Sequence, residues 1–171
     1  MADEISNFLA DPNGENFLRV RGLIEDSPSY DTGADGDERL AELIAAGEYG
    51  EAADLVADLM PNWLLSARVH RFASLAAEKL GDEEVAARER YLSRACTRGL
   101  LLAGDGTSER PYPVLHISDE YDLLDALDKE PVGQRIDTAA DGPRDVIICA
   151  DGSEVWFDIA AGLRNRVSKC R

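Results

Sequence analysis

The chain reads as an α+β protein: N-terminal helical hairpins of tetratricopeptide-like spacing, followed by a small antiparallel sheet of three to four strands. Three observations predict this. From residue 38 to 104 the apolar positions recur with a helical period, broken at Gly47, at Pro61-Asn62 and at Gly81-Asp82. After Gly106 the period falls to two. Asp151-Gly152 lies between RDVIICA and SEVWFDI, the strongest short signature of a β-hairpin.

The elements come in order along the chain. Residues 4–10 predict a short helix that ends before Pro12, and Phe17, Leu18, Val20 and Leu23 predict a second over 14–25. SPSYDTGADGD (27–37) has the composition of a loop, with Asp37 suited to cap the next helix. Four helices are then expected at 38–46, 48–60, 62–80 and 82–103, with Asn62 and Asp82 as N-caps. Their short connections predict antiparallel neighbours.

An internal repeat runs through this region. Gly47 and Gly81 are 34 residues apart, as are Ala52 and Ala86, and Ala53 and Ala87. Glycine permits a tight reversal, and a small residue five positions later lets the second helix approach the first. Two copies are fewer than a repeat array usually needs, so the helix at 14–25 or the sheet must cover their open ends.

In the second half PYPVLHI (111–117) predicts a strand, and EYDLLDALD (120–128) a short helix capped by Ser118 or Asp119. VGQRIDT (132–138), RDVIICA (144–150) and SEVWFDI (153–159) predict the other strands, the last two joined by a two-residue type I′ turn. Gly104 is read as a left-handed helix cap and Gly106 as freeing the chain to turn. The expected organisation is a single unit over 1–171, with a helical half (1–104), a sheet half (105–160) and a tail (161–171).

Composition limits the function. In 171 residues there are 34 acids against 18 Lys and Arg, a formal charge of −16. That argues against a nucleic-acid partner and against an anionic membrane surface. The charge is uneven: residues 1–60 carry a net −12, residues 61–104 a net +2 and residues 105–171 a net −6. The middle segment alone is free of strong negative charge, so it is suited to an acidic neighbour. No stretch approaches the roughly 18 apolar residues of a membrane helix, and the N-terminus shows no secretory pattern. Cys96, Cys149 and Cys170 make an odd set without CxxC spacing, which fits a reducing compartment. A soluble cytoplasmic protein is expected; its oligomeric state is not encoded in any visible pattern.

The candidate residues gather around GDGTSERPYPVLHISDEYDLL (104–124). Gly104-Asp105-Gly106 resembles a phosphate loop, but no strand precedes it and no helix start succeeds it. His70 and His116 are too isolated for a metal pair, and Cys96 and Cys149 fall at packing positions. No cofactor or metal is implied. Asp119 and Glu120 are adjacent, so on a helix they point apart; Asp119 suits a cap, and Glu120 a cap or a buried partner for an arginine of 82–103. Arg90, Arg94 and Arg98 recur every fourth residue and form one basic row. Trp63 suits the core, whereas Trp156 alternates onto the polar side of its strand.

Several of these residues together resemble a bacterial family catalogued only as a domain of unknown function. They are Gly104-Asp105-Gly106, Tyr112, Val114, Asp119-Glu120-Tyr121, Leu124, Gln134 and Trp156-Phe157-Asp158-Ile159. Phe17, Leu18-Arg19 and Ser27-Pro28-Ser29-Tyr30 resemble the family's start, so the likeness spans about residues 15 to 160. The combined GDG…DEY…Q pattern is its most specific part; Trp156 departs from the Tyr or Phe expected there. The resemblance implies a helical half followed by a small sheet, and no activity.

Two functions are compatible with these observations. The favoured one is a non-catalytic interaction or scaffold protein with a protein or peptide partner, since helical hairpins of this period present concave binding faces. The alternative is a small hydrolase-like or ligand-binding protein with its site at the helix/sheet junction, near Asp119, Glu120, Tyr121, His116 and Gln134.

Overall fold

The computed structural model describes residues 2–28, 30–31, 35–139 and 142–159. Helices α1 (Ala2–Ala10) and α2 (Gly14–Glu25) come first. Asn13 caps α2 by accepting the Asn16 amide at 2.9 Å. Phe8 and Phe17 meet edge to face, with ring centroids 6.0 Å apart, and Gly99 of a later helix lets both approach its backbone.

Two helical hairpins come next: α3 (Gly36–Ala46) with α4 (Tyr49–Leu59), and α5 (Ala67–Leu80) with α6 (Glu83–Ala103). The 34-residue repeat has a structural basis. Gly47 ends α3 with φ +77° and Gly81 ends α5 with φ +82°, the left-handed cap that glycine adopts without steric cost. Ala52 and Ala86 are both buried, while Ala53 and Ala87 are both exposed. The hairpins enclose a small core of Leu40, Ala52, Trp63, Val69 and Ala76.

Several element starts differ from expectation: the helix expected from 120 begins at Ile117 and the strand expected from 144 begins at Gly142, and three further cases have a visible cause. Helix α3 begins at Gly36, which leaves Asp37 in its first turn, where it is buried 3.9 Å from Arg68. The helix expected over 62–80 begins only at Ala67, because Ser66 caps it through the Val69 amide. Asn62 lies in the preceding turn and spends its side-chain amide on the backbone of Asp31. The strand expected over 111–117 shrinks to β1 (Tyr112–Pro113), since Pro111 and Pro113 bring no amide donors to a ladder. The Val114 amide then turns back to the Tyr112 carbonyl at 3.1 Å, and the chain enters α7 (Ile117–Ala126).

The remaining strands are β2 (Pro131–Ala139), β3 (Gly142–Cys149) and β4 (Glu154–Asp158), and the sheet order is β1-β4-β3-β2. The sheet is mixed, not purely antiparallel. β2–β3 and β3–β4 are antiparallel, but β1 lies parallel to β4, with Tyr112 opposite Phe157. The cause is connectivity: α7 intervenes after β1, so the last strand returns beside the first in the same direction.

The hairpin at Asp151-Gly152 forms, but not with a type I′ turn. The Gly152 amide donates to the Cys149 carbonyl, and only Gly152 has positive φ (+82°), whereas type I′ needs two such residues. Gly104 is not left-handed either; its backbone is extended, and any side chain there would strike the Pro111 carbonyl. Gly106, at φ +74°, makes the turn. The tail 161–171 lies outside the described residues.

Directly opposed residues share a face of a sheet. Gln134, Ile136, Asp145, Ile147, Val155 and Phe157 therefore share one face, on which Asp145, Ile147, Val155 and Phe157 are buried while Gln134 and Ile136 at the β2 edge are exposed; Arg135, Val146 and Trp156 share the other. Ile147, Val155 and Phe157 join Phe17, Leu100 and Leu124 in one core that ties the sheet to the helical half. Ion pairs add to the tie: Arg21 of α2 bridges Glu25 at 2.9 Å and Asp158 of β4 at 3.5 Å. No helix among the described residues is long and apolar enough to cross a membrane.

Candidate functional site

The junction between helices and sheet separates the expected cluster into three groups. The first is the start of α7. His116 occupies its N-cap position, not the middle of a strand. Asp119 is buried, and its Oδ2 accepts the amides of His116 at 3.0 Å and Leu115 at 3.2 Å. This satisfies two amides that the helix leaves without partners. Burial pushes the Asp119 carboxyl up, and the amides of His116 and Leu115 draw it back. The imidazole of His116 stacks on Trp63, and its Nε2 lies 3.2 Å from the Asn62 carbonyl, while its buried Nδ1 has no hydrogen-bond partner among the described residues.

The second group is Glu120, Gln134 and Asp145. Glu120 is fully buried and lies against Asp145 of β3, not against an arginine of α6. Burial, Asp145 and Asp119 push its carboxyl up to about 8. Asp145 is 5% exposed and accepts the side-chain amide of Gln134 on Oδ2. Asp145 Oδ1 and both Glu120 oxygens have no donor among the described residues. Asp145 is not among the residues that the sequence singles out. Period-two alternation nevertheless puts it on the face of Ile147 and Cys149, so an inward acid is visible in RDVIICA. The third position, Tyr121, stands apart: it is 41% exposed and points away from both acids.

A crevice between α6 and α7, lined by Cys96, Asp119 and Asp122, has a volume of about 10 Å³. That holds no more than a single water. Asp122 is engaged by Arg68, whose guanidinium spans both carboxylate oxygens at 2.8–3.1 Å. Among the described residues, no three His, Cys, Asp or Glu side chains are placed to hold a metal.

The basic row lies elsewhere, on the exposed side of α6, with its Arg90 and Arg94 end beside α5. Arg90, Arg94 and Arg98 are all exposed and span about 12 Å along the helix. Two open grooves of about 420 and 440 Å³ adjoin there and share Ser93 and Arg94. Arg71 and Phe72 line the first, Leu101 and Leu102 the second. Arg90 is 3.6 Å from Glu78, and Arg71 is 3.8 Å from Asp122. Arg94 and Arg98 have no ion-pair partner among the described residues.

The other candidates are structural. His70 Nδ1 lies 2.7 Å from Glu89 Oε2 across the α5/α6 hairpin, and Nε2 lies 2.8 Å from the Leu64 carbonyl in the turn before α5. The two residues are 19 apart, so no short motif reveals the pair; only the register of the hairpin does. Cys96 and Cys149 are free and buried, and burial pushes the Cys96 thiol well up, away from a nucleophilic thiolate. Trp156 carries the Arg135 guanidinium 5.0 Å from its ring centroid on the outer face of the sheet. Cys170 lies outside the described residues.

No family model, curated protein or solved structure matches this chain.

Proposed function

We propose that the protein is a non-catalytic interaction protein whose docking surface is the basic α5/α6 groove and whose partner is an acidic peptide segment. The observation that carries this reading is the pair Arg94 and Arg98. They are exposed and have no ion-pair partner among the described residues, in a chain with 34 acids and 18 Lys and Arg. In such an excess of carboxylates, two exposed arginines one turn apart form a local cationic site. Their planar forks suit bidentate carboxylate capture, and Phe72, Leu101 and Leu102 offer apolar contact between charges. At about 0.15 M salt the screening length is roughly 8 Å, so the row acts on a bound peptide more strongly than the distant acidic surface does.

The junction supports a ligand-binding or hydrolase-like reading less well. Asp119 is spent on backbone amides, His116 on Trp63 and Asn62, and Glu120 is sealed from solvent. A cytoplasmic setting belongs to the same proposal, supported by the free buried cysteines. The likeness to the GDG…DEY…Q family stays a proposal and adds no activity.

Fluorescence anisotropy with a labelled peptide of alternating Glu and Leu tests the reading. The unmodified protein is expected to bind it, with affinity falling as salt rises. Arg94→Glu with Arg98→Glu is expected to weaken binding at least tenfold. Equal affinity in the double variant overturns the proposal, and salt-dependent self-association in place of peptide binding reassigns the groove to a second copy of the chain.

A further inference from the structure

We propose that Glu120 and Asp145 form a proton-operated latch between α7 and the sheet, closed while Glu120 holds its proton and released when that proton is lost. The geometry is that of two carboxyl groups with one donor missing. Gln134 supplies the amide for one Asp145 oxygen, and the other has no donor of its own among the described residues. Both Glu120 oxygens likewise have no donor among the described residues, and the residue is fully buried. A protonated Glu120 provides the O–H that this arrangement lacks.

The groups acting on Glu120 are Asp145 from β3 and Asp119 from its own helix, both acids, while Gln134 of β2 is neutral. Neither Glu120 nor Asp145 forms an ion pair with Lys, Arg or His among the described residues. Ionising both therefore places two like charges face to face in a dry interface, which a protein tolerates poorly. The released proton passes to solvent. The neighbouring core residues Leu124 and Ile147 are what separation of α7 from β3 would uncover.

The direction with pH comes from linkage. Glu120 titrates near 4.5 in the unfolded chain and at about 8 when folded. The folded state then holds more protons across that interval, so its contribution to stability is complete below the lower value and is lost as pH rises toward the upper one. This is opposite to the behaviour of a salt-bridged carboxylate. The latch does not rest on the peptide groove.

Glu120→Gln is the test, because its amide keeps the shape and donates permanently to Asp145. Denaturant unfolding and hydrogen exchange of α7 are followed from pH 5 to 9. The variant is expected to gain on the unmodified protein progressively up to about pH 8, with α7 amides exchanging faster only where Glu120 can ionise. An infrared band of a protonated carboxyl group is expected at neutral pH in the unmodified protein and absent from the variant. Parallel stability curves, or no such band, overturn the proposal. If the variant does not fold, Asp145→Asn decides: the band must then vanish at lower pH, and an unmoved midpoint overturns the latch. Stabilisation of the unmodified protein alone by millimolar calcium or magnesium also overturns it, in favour of a cation site.

Discussion

Trp63 and His116 lie ring on ring, with centroids 3.7 Å apart and planes 7° from parallel. The stack joins the turn before α5 to the N-cap of α7. Tyr30, from the loop after α2, meets His116 edge-on and donates its hydroxyl to the Leu115 carbonyl at 2.9 Å. Three segments distant in sequence are thus pinned at one point, where the helical half turns into the sheet half. That makes the region around 112–120 a joint, and the chemistry of its side chains is largely consumed in holding it.

Trp63→Ala is expected to be among the most damaging substitutions, costing about 3–5 kcal/mol through lost burial and a cavity. His116→Phe keeps a ring against Trp63 but removes the contact to the Asn62 carbonyl, and is expected to cost about 1 kcal/mol. Urea unfolding of the two variants checks the order.

Asp119→Ala leaves the amides of Leu115 and His116 buried without acceptors. A loss of about 1–2 kcal/mol is expected, with Asp119→Asn milder because an acceptor remains. Peptide affinity is expected to be unchanged in both, which separates a capping role from a binding role.

Legibility in the sequence varies with the range of the interaction. Helix α2 matches its expected bounds over 14–25, and Gly47 and Gly81 end their helices as the repeat implies, because these features rest on local pattern and backbone sterics. The delayed start of α5 is not legible. Asn62 is a good cap by type, but its side chain is taken by Asp31, 31 residues away. The alternating apolar run 111–117 suggests a strand for His116; Asp119 reaching back to its amide decides for a helix start. Glu120 stands out in the sequence, yet the arginines of α6 are the wrong partner for it. Its opposite number, Asp145, becomes its neighbour only when β3 is laid across α7.

His70→Ala removes the contact of a buried imidazole with Glu89 and the Leu64 carbonyl. A loss of about 3 kcal/mol is expected, since Glu89 would keep only Arg88 as a partner. A double-mutant cycle with Glu89→Ala is expected to be strongly non-additive, which chemical unfolding can measure.

Cys96 and Cys149 are expected to resist alkylation in the native protein and to react fully once it is unfolded. Mass spectrometry of tryptic peptides after brief iodoacetamide treatment reads both. Rapid native labelling of Cys96 would contradict its burial on α6, where its Sγ lies 3.6 Å from the Leu64 carbonyl.

The most direct test of the central claim is amide chemical-shift mapping during titration with an acidic peptide at about 0.15 M salt. The groove reading predicts shifts confined to the facing sides of α5 and α6, strongest around Arg71, Arg94 and Arg98. Shifts centred on Glu120, Gln134 and Asp145, with the α6 arginines silent, would contradict it and move the functional surface to the junction.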